Sequence, residues 1–427
     1  MDAIRILPGP LAGALPAMPS KSVLHRELIA SSLADGISQI CGSSRSDDIE
    51  ATACGLIALS LCSEIDDTGG AVRVRGTPRP LDRTEKSVDC GASASTLRFL
   101  LPQALRLGVP VRFTGERSLF FRPLSVYTAL LEERGVFHRL SDDSFEVNGT
   151  LSPGEFLMRG DESSQYATGL LFALPLLDGD SRIVFTTNPE SCGYIDLTRK
   201  TLQARGIATR WESERTLYIP GGQAFRPAAV AIEGDYSHAA NALVAGALSG
   251  DVTVFGLSPD SAQPDRKILD ILRGAGASVA VDGESVRVSA NSRMAFTCDL
   301  SETPDLGPIL AAFACGCIGE SRLINASRLR LKESDRLRAI SEELRKLGAD
   351  TEESGDSLLV RGTGTLRGGR CSSWGDHRVA MALSMASAIA EGPVVLEGYA
   401  CVKKSAPLFY REFAALGGRI DGVDVWN

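Results

Sequence analysis

The sequence predicts a two-domain α/β protein assembled from six copies of one mixed unit, and three observations carry the prediction. Glycines that follow small-residue helices recur at Gly36, Gly108, Gly179, Gly250, Gly319 and Gly392, 69 to 73 residues apart. A second series at Gly135, Gly206, Gly276, Gly348 and Gly418 keeps the same period and opens an alternating strand pair each time, with Gly69 or Gly70 as its counterpart in the first copy. A chain of 427 residues also exceeds what one core accommodates, because single cores stop growing near ~250–300 residues. A fixed period of this length marks a repeated supersecondary unit.

Each copy reads as a helix, a glycine, a β-branched strand, a second helix, a second glycine and two strands joined by a turn. The stretches LRLGVPVRFTG and ERGVFHRLSDDSFEVNG, from the second copy, show both halves. Both glycines are expected to stop their helices in the left-handed conformation, which only glycine adopts without steric penalty. Prolines then divide the six copies into two threes. Pro16 and Pro19 precede the first copy, and Pro220 and Pro227 separate the third from the fourth. The expected domains are 20–226 and the pair 1–19 with 227–427, joined by crossovers near 16–20 and 220–228.

Composition narrows the function. Apolar residues make up 44% and charged residues 23%, ordinary globular values, and the net charge of −8 argues against a nucleic-acid groove, which needs a basic stripe to displace counterions. Ten scattered cysteines form no CxxC pair and the four histidines are isolated, so reduced, mostly buried thiols and no metal are expected. The opening MDAIRILPGPLAGALPAMPS carries Asp2, and Gly13, Pro16 and Pro19 break its apolar run, unlike a signal peptide or membrane helix. A cytoplasmic enzyme without metal or cofactor fits these bounds.

The period also aligns the starts of six helices: SKSVLHR from Ser20, SASTLR from Ser93, SSQYAT from Ser163, DYSHAAN from Asp235, TPDLGP from Thr303 and GDHRVAM from Gly375. Hydroxyl and acidic caps belong there. Lys21, Arg26, Arg98 and Arg378 do not, since a cation in the first turns opposes the helix dipole by ~0.3–1 kcal/mol. Four such conflicts in register point to bound anions, for which backbone N–H groups and a nearby cation form a ready site. In KESDR, read on a helix, Lys332 and Arg336 are i, i+4 and repel by ~0.2–0.5 kcal/mol unless an anion lies between them. Glu333 stands beside them as a proton carrier or as a plain ion-pair partner. Asp305 would be an ordinary cap but for the register that sets it level with Lys21 and His377.

With these residues in view the chain resembles the EPSP synthase family over nearly its whole length. The strings that carry the resemblance are PSKSVLHR, DCGASASTLR, GERSLFFRP, SSQ, ESCGYIDLT, TPD, LRLKESDRL, GDHRVAM and VKKSAP, in the family's order and spacing. The resemblance implies two globular domains, each of three βαβαββ units in an inside-out barrel, with helices directed toward a cleft. It also implies transfer of the enolpyruvyl group of phosphoenolpyruvate to the 5-hydroxyl of shikimate 3-phosphate by a monomer. By analogy Lys21, Ser22, Arg26, Ser163, Ser164, Gln165, Ser191, Tyr194, Asp305 and Lys332 bind shikimate 3-phosphate. Lys21, Ala94, Arg98, Arg117, Gln165, Arg336, Arg378 and Lys404 bind phosphoenolpyruvate. Asp305 is then the base for the 5-hydroxyl, and Glu333 with Lys21 or Lys404 handles the methylene proton, with His377 adjacent.

The chain departs from the family pattern at several positions. The glycine usually before SKS is absent, an expected arginine is Ser118 with Arg117 next to it, and an expected asparagine is Arg328. At Ala94 glyphosate-sensitive members have glycine, so the extra methyl is expected to give tolerance. The related transferase acting on UDP-N-acetylglucosamine carries a reactive cysteine in the loop that here reads GERSLFFR. A non-catalytic repeat scaffold would carry atypical polar caps at its ends, yet the last copy keeps His377, Arg378 and Lys404.

Overall fold

The computed structural model describes residues 3–42, 46–68 and 71–421; Gly69 and Gly70 lie outside them. The chain divides into two compact units, Pro19–Ile232 and Met1–Met18 with Glu233–Asn427. Among the described residues the strands form six four-stranded sheets with one recurring pattern. In the second copy Lys86–Asp89 runs parallel to Val111–Thr114. That strand pairs antiparallel with Ser144–Asn148, itself antiparallel to Phe137–Leu140. The helices Ala94–Leu107 and Ser125–Glu133 make the connections, completing βαβαββ.

Alternation fixes which face of each sheet is covered. In Val111–Thr114, Val111 and Phe113 are buried and Arg112 is exposed, the one-sided pattern of an antiparallel pair against a core. The first helix of each copy is instead covered nearly all round. Ala94–Leu107 buries twelve of its fourteen residues and Gly307–Gly316 all ten, as expected of helices inside a unit rather than on its surface. No helix among the described residues is long and apolar enough to cross a membrane.

Three short segments complete sheets far from them in sequence. Ala229–Ala231 pairs in parallel with Gly36–Cys41, and Gly13–Pro16 with Asp251–Phe255, so each supplies a leading strand. Ala3–Leu7 enters the last sheet between Val394–Glu397 and Arg419–Asp421. Residues 227–232 therefore belong with Pro19–Ile232, and the second crossover falls at Ile232/Glu233, after the expected 220–228. The ladder of Ala229–Ala231 is the physical reason.

The first glycine series is mixed in backbone geometry and the second nearly uniform. Of the first, Gly108 stops its helix in left-handed backbone at φ 65°. Gly250 does not: its φ is −143°, and a Cβ there would lie 1.7 Å from the Leu11 carbonyl oxygen. Close approach of the loop before Gly13–Pro16, not helix termination, excludes a side chain at that position. The second series is left-handed at Gly135, Gly206, Gly276 and Gly348, and in the last copy at Gly417 rather than Gly418. We expect Gly250→Ala to destabilise the unit by about 1–3 kcal/mol through forced backbone movement, measured by urea unfolding. Gly274→Ala, whose Cβ would meet nothing within 4 Å, serves as the neutral control.

Candidate active site

In the unit Pro19–Ile232 the helix starts gather cations on neutral oxygen partners. Arg26, 3% exposed, donates from Nε to Thr198 Oγ1 at 2.9 Å, from Nη1 to the Ser22 carbonyl at 2.6 Å and from Nη2 to the Tyr194 carbonyl at 3.0 Å. Its guanidinium is engaged by the protein, so it ties Ser22 to Tyr194. Burial pulls its pKa down to about 10, with Tyr194 opposing. Ser191, just before the helix Cys192–Ala204, sits at φ 54°, a left-handed geometry uncommon outside glycine that clusters at functional sites.

Arg98 is held in the same way. Nη1 donates to Gln165 Oε1 at 2.9 Å and Nη2 to the Pro123 carbonyl at 2.7 Å, with the guanidinium 4.8 Å from the Tyr166 ring centroid. Gln165 Nε2 donates in turn to Ser95 Oγ at 2.9 Å. Ser163 Oγ caps the next helix by accepting from the Gln165 N–H at 3.3 Å, and Ser164 is buried behind it. Ala94 opens the helix Ala94–Leu107 and is 4% exposed. The loop before it lies against Gly115, where a Cβ would stand 2.3 Å from the Gly91 carbonyl oxygen.

Lys21 is the exception in this unit, with Nζ 2.8 Å from Asp48 Oδ2. The backbone carbonyl of Asp48 accepts from Thr96 Oγ1 at 3.4 Å, and Thr96 Oγ1 also bonds Thr52 Oγ1 at 2.7 Å, which bonds His25 Nδ1 at 2.9 Å. Burial, ahead of Lys21 and Arg26, pushes His25 down to about 3, so this imidazole is neutral and adds no charge beside Lys21. Asp48 escaped sequence reading because it sits in SDDIE, where acids look like ordinary first-turn residues. Arg117 is not brought into these clusters: it is exposed, and its Nη2 pairs with Asp142 at 2.7 Å.

The other unit brings acids and cations together. Arg336, 2% exposed, donates from Nη1 to Asp305 Oδ1 at 2.9 Å, from Nη2 to Glu333 Oε2 at 2.5 Å and from Nε to Asp376 Oδ2 at 2.7 Å. Asp305 also faces Lys332 Nζ at 3.6 Å and receives Arg378 Nη2 at 3.2 Å, while Glu333 faces Lys404 Nζ at 3.5 Å. Burial alone would raise the Asp305 carboxyl, but Lys332, Arg378 and Arg336 outweigh it and hold the group well below the usual range. For Arg336, burial works against the charge, and Asp376, Glu333 and Asp305 raise its proton affinity regardless. Lys332 falls to about 8, through burial first and then Arg336 and Arg328, against Asp305.

KESDR thus works without the helix assumed for it. Lys332 lies before the helix Arg336–Lys346, so the two cations converge on Asp305 from a turn and a helix start rather than one turn apart. Asp376, which sequence reading passed over as a cap, does cap the helix His377–Ala386 through the Arg378 N–H at 2.9 Å. It simultaneously anchors Arg336. His377 follows it and is buried, 1% exposed. Among the described residues no group of three or more His, Cys, Asp and Glu could hold a metal ion.

This fold is that of enolpyruvyl transferases. EPSP synthase from Acinetobacter baumannii superposes with a TM-score of 0.81 at 22% identity, covering 99% of this chain and 100% of that one. The enolpyruvyl transferase NikO from Streptomyces tendae does so at 0.77 and 19% identity, covering 98% of each. The profile of the EPSP synthase (3-phosphoshikimate 1-carboxyvinyltransferase) family matches residues 7–413. The 3-phosphoshikimate 1-carboxyvinyltransferase of Clostridium kluyveri is 43% identical over 423 residues, and that of Clostridium novyi 40% over 432, each alignment covering 99% of both chains. The chain belongs to the EPSP synthase family.

Asp376→Ala removes both a helix cap and one carboxylate of a buried arginine. We expect a loss of about 3–5 kcal/mol from the pair, read by urea unfolding, against about 1 kcal/mol if capping alone mattered.

Proposed function

We propose that the chain transfers the enolpyruvyl group of phosphoenolpyruvate to the 5-hydroxyl of shikimate 3-phosphate and releases phosphate. The observation that carries the reading is the convergence of two carboxylates, Asp305 and Glu333, on Arg336 within reach of Lys332, Arg378 and Lys404. A proton reaches the methylene carbon of phosphoenolpyruvate from Glu333, with Lys21 or Lys404, leaving a methyl group and a cationic C2. The 5-oxygen bonds to C2 and yields its proton to Asp305. The tetrahedral adduct then loses phosphate from C2 and returns a methyl proton to the Glu333 carboxylate, restoring the double bond.

The electrostatics suit this sequence. Without substrate, Asp305 and Glu333 are paired with cations, and Asp305 is too weak a base. The substrates bring phosphates and carboxylates that compete for Lys332, Arg336, Arg378 and Lys404. As those cations turn to the substrates, Asp305 recovers proton affinity, approaching the match that general base catalysis needs. In the other unit, Ser22, Ser163, Ser164, Ser191 and Tyr194 supply donors for shikimate 3-phosphate, with Arg26 holding two of them. Arg98, Gln165 and Lys21 serve phosphoenolpyruvate. Arg117 joins them by leaving Asp142, an exposed pair worth little.

Phosphate release from phosphoenolpyruvate by the purified chain is expected only with shikimate 3-phosphate present. No release, or release driven by UDP-N-acetylglucosamine, contradicts the reading. Burial brings the Lys332 ammonium down to about 8, so it loses its charge as pH rises through that value and KM for shikimate 3-phosphate should rise by up to ~10-fold per pH unit beyond it, whereas Lys332→Arg should flatten that rise. At Ala94 we propose that the methyl excludes the longer inhibitor glyphosate more than phosphoenolpyruvate. Ala94→Gly should sharpen inhibition by ~10–200-fold, the worth of one methyl in a tight pocket; equal inhibition of both proteins contradicts it.

A further inference from the structure

Asp265 is buried, 1% exposed, in the short 3-10 turn Pro264–Lys267, and the reaction above gives it no task. Its Oδ2 meets the hydroxyl of Ser237, in the first turn of the helix Tyr236–Ser249. The Ser237 carbonyl accepts from Arg378 Nη1 at 3.1 Å, and Arg378 Nη2 donates to Asp305 Oδ2 at 3.2 Å. Two residues earlier, Gln263 accepts from the Tyr236 N–H at 3.1 Å and donates to the Gly234 carbonyl at 2.8 Å. The segment 263–265 therefore grips one helix start from both sides, and that helix start grips Arg378.

We propose that Asp265 is a positioning residue: through Ser237 it fixes Arg378, and through Arg378 it sets the place and charge of the Asp305 carboxylate. The inference rests on the reading of Asp305 as the base.

Charge explains why an acid suits this position. Asp265 is faced by Asp235 and Ser237 from the helix start, by Asp305 from the turn before Gly307–Gly316, and by Arg378 from the start of His377–Ala386. Burial, then Asp305, push its carboxyl up to about 7 against Arg378 and Ser237. A fully ionised Asp265 would draw Arg378 away from Asp305. A protonated acid leaves that guanidinium to Asp305 while Oδ2 still accepts from the Ser237 hydroxyl.

Steady-state kinetics and melting temperature of the full chain with Asp265→Asn, Asp265→Ala, Ser237→Ala and the double alanine variant test the chain of contacts. We expect Asp265→Ala to lower kcat by about 10- to 100-fold, the scale of a small misplacement at a reacting group, with KM for shikimate 3-phosphate changed less than about twofold. Asp265→Asn, neutral and of the same shape, should stay within about threefold of the wild type. The double variant should be no worse than the worse single one, because residues in one chain of contacts are not additive. Wild-type kcat in Asp265→Ala, additive losses, or a loss that follows the melting temperature in every variant would overturn the inference. Absence of turnover in the wild type would instead strike the proposed function, so the two failures are distinct.

Discussion

A guanidinium that cannot shed its proton sits almost wholly out of water at Arg336, and the cluster of acids and cations in the unit Met1–Met18 with Glu233–Asn427 is arranged around that fact. An uncompensated buried charge costs several kcal/mol, so Arg336 has to be met by carboxylates, and a planar fork dictates where they stand. Asp305 comes from the turn before one helix, Asp376 from the cap of another and Glu333 from the approach to a third. Three separately folded elements are thereby held to a common point. Lys332, Arg378 and Lys404 then bring further cations to two of the same carboxylates, Asp305 and Glu333.

The other unit handles the arginines at its helix starts differently. The partners of Arg26 and Arg98 among the described residues are hydroxyls, an amide oxygen and backbone carbonyls. Neutral acceptors satisfy the donors without cancelling the charge, so the positive field survives for a ligand. Lys21 with Asp48 is closer to the paired style of Arg336. The helix-start arginines of one unit thus keep neutral partners, whereas the cations around Arg336 are matched with carboxylates.

The repeat was legible because glycines and β-branched strands punctuate every copy, and the helix-start cations were legible because each violates the helix dipole. What stayed hidden was set by tertiary pairing. Gly13–Pro16 and Ala229–Ala231 are too short to read as strands, yet they complete two sheets. Gly250 looks like a helix stop and is instead an answer to the Leu11 carbonyl. Asp48, Asp265 and Asp376 resemble ordinary turn or cap acids, and only the structure reveals which cation or hydroxyl each one holds. Arg117 points the other way: its sequence position marks it, but its side chain is exposed and paired with Asp142.

The account stands on protonation and deprotonation at one carbon by groups gathered around Arg336, and isotope exchange reads that directly. Running the reaction in D2O and analysing the product by mass spectrometry and proton NMR follows the methylene carbon through its passage as a methyl group. The account predicts deuterium in the enolpyruvyl methylene of the product, with incorporation slowed in step with turnover in Glu333→Gln. Product formed at full rate with no deuterium in that methylene would contradict it, because the carbon would never have been protonated.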